Sequence, residues 1–341
     1  MSAPRIPPTG TLALMNNLVL AQESLIFACD TGALGQDDSR LSRAAQRGIL
    51  LRLKQGVYLA RELWEALHPV EQHQLRVVIA ARLSGPGLVF SHESAAALLG
   101  LPILGRWPDK AHVLRECAAG GRSNTALIRH ALGLQGVPLD TVSGLTVTSA
   151  ARTAIDLATT MPFDSALVSM DAAVHVTRRT RQLLTSRDDV RLLLDRMMPF
   201  RGMRRVEAVL DASTTLSDSA AETLCRIILA ELGFATPELQ AEFSDEEGFI
   251  GYVDFLWRHQ RVILEFDGLT KYTNEEYTHG LTAAEVVIRE KKREDRLRAL
   301  GYSFIRVFWD DLKNPARLLR LLLATGLKPA EPVRLLRRPW L

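Results

Sequence analysis

The segment at residues 252–268, YVDFLWRHQRVILEFDG, most constrains the fold, because its two apolar β-type runs carry carboxylates among side chains of core type. We interpret the runs as antiparallel strands joined at His259-Gln260. A two-residue loop and a four-residue loop both place Asp254 opposite Glu265. Because side chains alternate along a strand, Asp254, Glu265 and Asp267 are predicted to share one face of the hairpin.

Directly opposed side chains have Cβ atoms about 4.5–5.5 Å apart, and like charges in that arrangement destabilise a sheet. Protonation of one acid, nearby cationic side chains or a bound divalent cation can each offset the repulsion. We favour the cation, because Mg²⁺, with Mn²⁺ as a substitute, suits carboxylate oxygens completed by water and phosphate. Asp254, Glu265 and Asp267 are therefore the candidate metal ligands.

Two further residues are candidates for the same site. Lys271 follows the second strand and would balance the acids or contact a phosphate. Glu222 lies on the preceding helix, where it would approach the acids as a catalytic group. Ser219-Ala-Ala-Glu222 is also a capping box, which explains Glu222 without catalysis, and both interpretations stay open.

A charged helix, AEVVIREKKREDRLRALG, follows the hairpin. Three- and four-residue steps put Glu290, Arg293, Leu297 and Leu300 on one stripe, so Arg293 is predicted to face the sheet. The cations predicted to point outward are Lys291, Lys292 and Arg296. A solvated face explains most of this run, and phosphate contact by Lys291 and Arg293 is the sharper hypothesis.

At 341 residues the chain is longer than one ordinary domain. We divide it into residues 1–84, 85–212 and 217–325, with the polar stretch 213–219 as a linker. The net charge of +3 is too small to indicate nucleic-acid binding by itself, so local clusters must carry that argument. We expect no membrane span and a cytoplasmic location, since no window approaches about 18 uninterrupted apolar residues and the three cysteines are widely spaced.

The first region has the outline of a winged helix. A helix is predicted over Asp37–Gly48, followed by the β-type runs ILLRL and VYLA around a turn at Lys54-Gln55-Gly56. Its basic side chains are candidate DNA contacts or ordinary solvated groups: Arg43, Arg47, Arg52 and Lys54.

The middle region is predicted to be mixed α/β. Strands are expected at Leu88–Ser91 and Ala111–Cys117, and a helix is expected to begin at Thr148 or Ser149. His92 is interpreted as a capping or surface histidine rather than a metal ligand, since it has no partner at ligand spacing.

The third region reads α-β-β-α-β, with a further strand expected over Pro237–Phe243, and predicts a mixed sheet with helices packed on it. The chain as a whole is expected to be α/β, or α+β overall.

The motifs YVDFLW, ILEFDGLTKY, EKKREDRLRALGY and FIRVFW resemble, in this order, the PD-(D/E)XK nuclease superfamily, in the branch of very-short-patch-repair endonucleases. The resemblance implies a restriction-endonuclease-like fold in which Asp254 and Glu265 hold a divalent metal, a bound water attacks a phosphodiester and Glu222 assists. Asp267 stands where the superfamily usually has its lysine, and Lys271 lies further along. These departures bear on catalysis more than on the fold.

The sequence QGVY in the predicted wing, with GLTVTSAARTAIDLA after it, resembles AbiEi-type antitoxins. This resemblance implies a regulator that binds its own promoter and neutralises a partner toxin. Two functions follow: a Mg²⁺-dependent DNA endonuclease, or an antitoxin and transcriptional repressor whose nuclease-like domain does not cleave.

Overall fold

The computed structural model describes residues 17–33, 38–115, 127–177, 183–267 and 283–332. The protein is α/β, as predicted, and the described residues form three sheets. By packing, the chain divides into two compact units, one of Met1–Met161 with Asp188–Val206 and one of Pro162–Arg187 with Glu207–Leu341. The division into three domains stays a prediction.

The first unit begins with a winged-helix order of elements. A helix that includes residues 17–23 (α1) is followed by β1 (Ile26–Phe27), α2 (Ala28–Ala33), α3 (Asp38–Gln46), β2 (Leu50–Lys54) and β3 (Val57–Ala60). The strands form an antiparallel sheet in the order β1-β3-β2. The predicted helix is confirmed over Asp38–Gln46, and Asp37 lies outside the described residues. The predicted hairpin is also confirmed, with Gly56 at the positive φ of 72° that its turn requires.

Two helices cover this sheet, α4 (Arg61–Glu65) and α5 (Pro69–Ser84). Apolar side chains from both sides fill the space between them. The buried members are Ala21, Phe27, Val57, Leu59, Leu67, Leu75 and Ile79. Their burial removes apolar surface from water and fixes the small sheet against α5.

The rest of the first unit is built on a mixed five-stranded sheet in the order β6-β5-β4-β8-β7. Its elements are β4 (Val89–Phe90), α6 (His92–Leu99), β5 (Ala111–Leu114), β6 (Leu127–His130), β7 (Leu139–Val142), β8 (Leu145–Thr148) and α7 (Ala150–Thr160). The predicted strands are present but shorter, and Cys117 lies outside the described residues. Ser149 caps α7, with its Oγ accepting the Arg152 backbone N–H at 3.3 Å.

The second unit begins with α8 (Phe163–Val174), and the helix α9 (Arg187–Met197) that follows lies almost entirely in the first unit. The carboxylate of Asp171 ties α8 to the C-terminal part of the chain. It accepts hydrogen bonds from the Thr214 backbone N–H at 2.8 Å, the Thr223 hydroxyl at 2.8 Å and Arg226 Nη2 at 2.6 Å. Since Asp171 is 1% exposed, these bonds are needed to keep a buried charge tolerable.

The helix α10 (Met203–Ala212) begins in the first unit and enters the second unit at Glu207. The elements that follow in the second unit are α11 (Ala220–Glu231), β9 (Glu238–Asp245), β10 (Gly248–Trp257), β11 (Val262–Phe266), α12 (Ala283–Ala299), β12 (Ser303–Val307), α13 (Trp309–Lys313) and α14 (Pro315–Ala324). The sheet order is β12-β11-β10-β9, with β12 parallel to β11 and the other neighbours antiparallel. The predicted α-β-β-α-β order is confirmed, and β9 is the further strand.

The predicted hairpin register is also confirmed. Phe255 pairs with Leu264 and Trp257 with Val262, which places Asp254 opposite Glu265 at the next position along the two strands. A 3₁₀ turn over Arg258–Gln260 makes the connection, the four-residue form of the predicted loop. Leu297 of α12 is buried against this sheet, as its stripe predicts. Within the described residues, none of the helices combines the length and the apolar character needed to cross a bilayer.

Candidate functional site

Asp254 lies at the end of the β10–β11 pairing, and its carboxylate is held on both oxygens. Oδ2 accepts the Phe266 backbone N–H at 2.9 Å, and Oδ1 accepts a hydrogen bond from Gln240 Nε2 at 3.3 Å. The first bond fixes the carboxylate beside β11, and the second directs it toward β9. Sequence reasoning did not identify Gln240.

Glu222 makes one of the two predicted capping contacts, since its backbone N–H donates to Ser219 Oγ at 3.2 Å, but its carboxylate bonds to Asp218 and the Ser219 hydroxyl rather than to the Ser219 backbone. Its Oε1 accepts the Ser219 hydroxyl at 2.8 Å, and its Oε2 accepts the Asp218 backbone N–H at 3.0 Å. Oε2 also accepts a hydrogen bond from Gln240 Nε2 at 3.1 Å. One amide group therefore links Glu222 on α11 with Asp254 on β10.

The two carboxylates influence each other electrostatically. Glu222 is only 8% exposed, and burial together with the charge of Asp254 raises the pKa of Glu222 to about 7. Burial and both carboxylates raise the pKa of the Cys225 thiol well above its usual value. Additional positive charge near Glu222 and Asp254 would therefore be stabilising.

Glu265 is 9% exposed and forms an ion pair with Arg293 of α12. Arg293 Nη2 also donates to the Tyr252 carbonyl oxygen at 2.9 Å. The prediction that Arg293 faces the sheet is confirmed. Gly251 makes room for this side chain, since a Cβ there would lie 3.1 Å from Arg293 Nε.

Asp267 lies close to a cation that sequence reasoning missed. Arg306 of β12 pairs in register with Glu265, and its Nη1 lies 3.6 Å from Asp267 Oδ2. Its Nη2 is 3.2 Å from Glu294 Oε2. The sequence left three ways to offset the repulsion among the hairpin acids, and cationic side chains were one of them. Such side chains lie beside Glu265 and Asp267.

The outward-facing side of α12 differs from the prediction at one residue. Lys291 and Lys292 are exposed as predicted, but Arg296 is not directed outward. Its Nε donates to Asp245 Oδ2 at 2.8 Å, and its Nη2 donates to the Gly248 carbonyl at 3.0 Å. The hydrogen bond from Arg296 lowers the pKa of Asp245. The physical reason is helix geometry, since Arg296 is three residues after Arg293 and lies on the same face.

The donor types suit a hard divalent cation, although no group of three or more His, Cys, Asp or Glu residues in the described part of the chain is arranged to hold a metal. Glu222 and Asp254 supply carboxylate oxygens, and the raised pKa of Glu222 indicates where positive charge would be favourable. Lys271 lies in residues 268–282, outside the described part of the chain. Mg²⁺ or Mn²⁺ binding therefore stays a prediction.

The candidate DNA contacts of the predicted winged helix lie on α3 and β2. Arg43, Arg47 and Arg52 are exposed, and Arg43 donates to the Ser39 hydroxyl at 3.0 Å. Lys54 is partly buried, which lowers its pKa. Three of the four predicted residues therefore present cationic groups to solvent.

A buried histidine cluster in the first unit was not predicted. His92 is 2% exposed, has a positive φ of 50°, and its ring stacks on His130 with centroids 3.6 Å apart. His130 Nε2 lies 3.2 Å from His112 Nδ1. The interpretation of His92 as a capping or surface residue is wrong, because α6, β5 and β6 bring together histidines that no regular spacing connects in the sequence.

Two carboxylates accompany these rings. Glu93 Oε2 lies 2.8 Å from His112 Nδ1, and Asp156 Oδ2 lies 4.0 Å from His92 Nδ1. Burial lowers the pKa of His130 to about 4 and that of His92 well below its usual value, and it raises the pKa of Asp156 to about 6. The rings of His92 and His130 are therefore neutral at pH 7.

The sequence has relatives in Mycobacterium tuberculosis. It is 28% identical over 184 residues to Uncharacterized protein MT2308 of strain CDC 1551 / Oshkosh and, equally, to Uncharacterized protein Rv2248 of strain ATCC 25618 / H37Rv. The alignment covers 54% of this chain and 62% of each relative, so the chain spans less than two thirds of their length. No family model matches the sequence.

Proposed function

We propose that the protein binds duplex DNA through its winged helix and hydrolyses phosphodiester bonds at the site formed by Glu222, Asp254 and Glu265. The main support is the contact between Glu222 and Asp254 through Gln240, which brings acids from α11 and β10 to the hairpin position predicted from the sequence. A protein with this function would act in the cytoplasm, where DNA is accessible.

The acids have separate roles in this proposal. Asp254 and Glu265, with Asp267 beside them, would hold Mg²⁺ or Mn²⁺, which when bound lowers the pKa of water and stabilises charge on the phosphate. Glu222 has a pKa of about 7 and is suited to accept the proton of the attacking water as the new P–O bond forms and the bond to the leaving oxygen breaks. Lys271 and Arg293 would contact the phosphate.

Supercoiled plasmid incubated with the protein and Mg²⁺ or Mn²⁺ tests this function. We expect nicking that falls about 100-fold or more in Asp254→Ala and Glu265→Ala. Glu238→Ala is the matched control, because Glu238 is an exposed carboxylate on β9 paired with Arg258. Nicking retained in both site variants, or absent from the wild type, would contradict cleavage at this site.

DNA binding is tested separately with a mobility-shift titration at several salt concentrations. Arg43→Ala and Arg47→Ala each remove an exposed cation from α3, so we expect weaker binding and a salt slope that is shallower by about 0.9 for each phosphate no longer neutralised. Arg106→Ala is the control, since Arg106 is exposed in the same unit and paired with Asp109. Unchanged binding in both α3 variants would remove the winged helix from the proposal.

A second function is favoured by a specific observation. Arg293 already pairs with Glu265, and Arg306 lies near Asp267, so the hairpin acids have cationic neighbours without a metal. A domain of this kind suits an antitoxin and transcriptional repressor similar to the AbiEi type, which binds DNA without cutting it. DNA binding by a wild type that does not nick plasmid, together with capture of a cognate toxin, would support it.

A further inference from the structure

Gln240 occupies an unusual backbone position in the middle of β9. Its φ is 53°, in the left-handed region that favours glycine and that other residues adopt at a cost. The neighbouring pairs Ala241 with Val253 and Leu239 with Phe255 place Gln240 opposite Asp254. The surrounding sheet therefore holds a strained residue directly across from a candidate metal ligand.

The Gln240 amide lies between two carboxylates from different elements. Nε2 is 3.1 Å from Glu222 Oε2 and 3.3 Å from Asp254 Oδ1. The amide nitrogen carries two N–H groups, and it donates to both of these oxygens. Each N–H group can then serve one carboxylate.

Each carboxylate also accepts hydrogen bonds from donors other than this amide. Glu222 is held by the Asp218 backbone N–H and the Ser219 hydroxyl, and Asp254 by the Phe266 backbone N–H. What Gln240 adds is a link between them, and that link sets how far apart the two carboxylates lie. Such a link orients a cation ligand, and the orientation of ligands by their neighbours strengthens cation binding.

We propose that Gln240 is a positioning residue for divalent-cation binding, which orients the Asp254 carboxylate toward the cation and keeps Glu222, the proposed base, beside it. This inference rests on the proposed function, because it assumes that Asp254 binds a cation. It assigns to Gln240 a role that is independent of DNA binding by the winged helix.

Calorimetric titration of the full chain with Mn²⁺ and with Mg²⁺, without DNA, tests the proposal. We expect Gln240→Ala to weaken cation binding by about tenfold or more, as loss of a residue that orients ligands typically does. Gln260→Ala is the matched control, because Gln260 lies in the turn after β10 and its Oε1 accepts the Lys328 backbone N–H. It should leave cation affinity unchanged.

Two further variants separate positioning from a structural role. Gln240→Gly removes the amide but suits a φ of 53°, so it should fold securely and still bind the cation as weakly as Gln240→Ala. Gln240→Glu places a third carboxylate between the other two, so cation should raise its melting temperature more than that of the wild type. A purely structural glutamine would not produce this difference.

The outcomes are distinct. Cation binding by the wild type with equal affinity in Gln240→Ala and Gln240→Gly would overturn this inference alone. Tighter binding in those variants would also overturn it, because the amide would then compete with the cation. If the wild type takes up no cation, the proposed cleavage site fails and this inference fails with it.

Discussion

Glu265 and Arg293 show what one buried charge requires of its neighbours. Their side chains are 11% and 19% exposed, so the ion pair is largely shielded from water. Removing one partner from such a pair leaves an uncompensated charge. We therefore expect Arg293→Met to lower the free energy of unfolding by about 3 kcal/mol at pH 7, measured by urea denaturation.

The double variant Glu265→Gln with Arg293→Met is the matched control. Removing both charges should recover much of the stability, because a neutral amide costs less to bury than a carboxylate. Equal destabilisation in Arg293→Met and in the double variant would show that Arg293 acts through packing rather than charge.

Single residues were predictable where a short-range rule governs them. Ser219 and Glu222 follow the capping-box spacing, and the helical stripe placed Arg293 toward the sheet. Gln240 and Arg306 were not predictable, since their partners lie on other elements and depend on strand order. The predicted outward direction of Arg296 was wrong, because Arg296 lies on the same helix face as Arg293 and reaches Asp245 at the end of β9.

Among whole elements, the β10–β11 hairpin was the most predictable, because alternation and loop length together fix its register. Its place in the sheet was harder to predict, since no local pattern specifies that β12 pairs with β11 in parallel. The packing of α8 also depends on distant residues, because Asp171 binds Thr214, Thr223 and Arg226 far along the chain.

Gly233 is the residue on which the end of α11 depends. It has a φ of 76°, and a Cβ there would lie 2.2 Å from the Glu331 carbonyl oxygen. We expect Gly233→Ala to lower the free energy of unfolding by more than about 2 kcal/mol, since it adds a backbone collision to the left-handed strain. Thermal or urea denaturation of the full chain measures this.

Gly326, after α14, is the control for that substitution. Its φ is 86°, but no atom of the described residues lies within 4 Å of the position that a Cβ would take. Gly326→Ala should therefore cost about 1 kcal/mol from backbone strain alone. Similar destabilisation at both positions would show that the Glu331 carbonyl moves aside readily.

At the scale of the molecule, the buried histidines predict sensitivity to acid. Burial lowers the pKa of His73 to about 4, below its value in an unfolded chain, and His92 and His130 are lowered in the same direction. The unfolded state then binds more protons between about pH 4 and pH 6.5, so stability falls as the pH drops through that window. Asp156, with its pKa raised to about 6, partly opposes this trend.

His73→Asn tests the linkage. Asparagine keeps a donor for the Pro108 carbonyl, which His73 Nδ1 contacts at 2.8 Å, but does not titrate. The wild type is expected to lose free energy of unfolding between about pH 6.5 and pH 4, and we expect this loss to be roughly 3 kcal/mol smaller in His73→Asn. Urea denaturation at each pH measures it. His259→Gln, at an exposed position in the second unit, should leave the profile unchanged.

The candidate site draws one polar side chain from each of six elements: Glu222, Gln240, Asp254, Glu265, Arg293 and Arg306. During synthesis the acids leave the ribosome first, and both arginines follow later. A nascent chain that ends after β11 therefore carries its carboxylates without these counter-charges. The sheet can enclose these carboxylates only after α12 and β12 have been synthesised. The centre therefore assembles late in the synthesis of the chain.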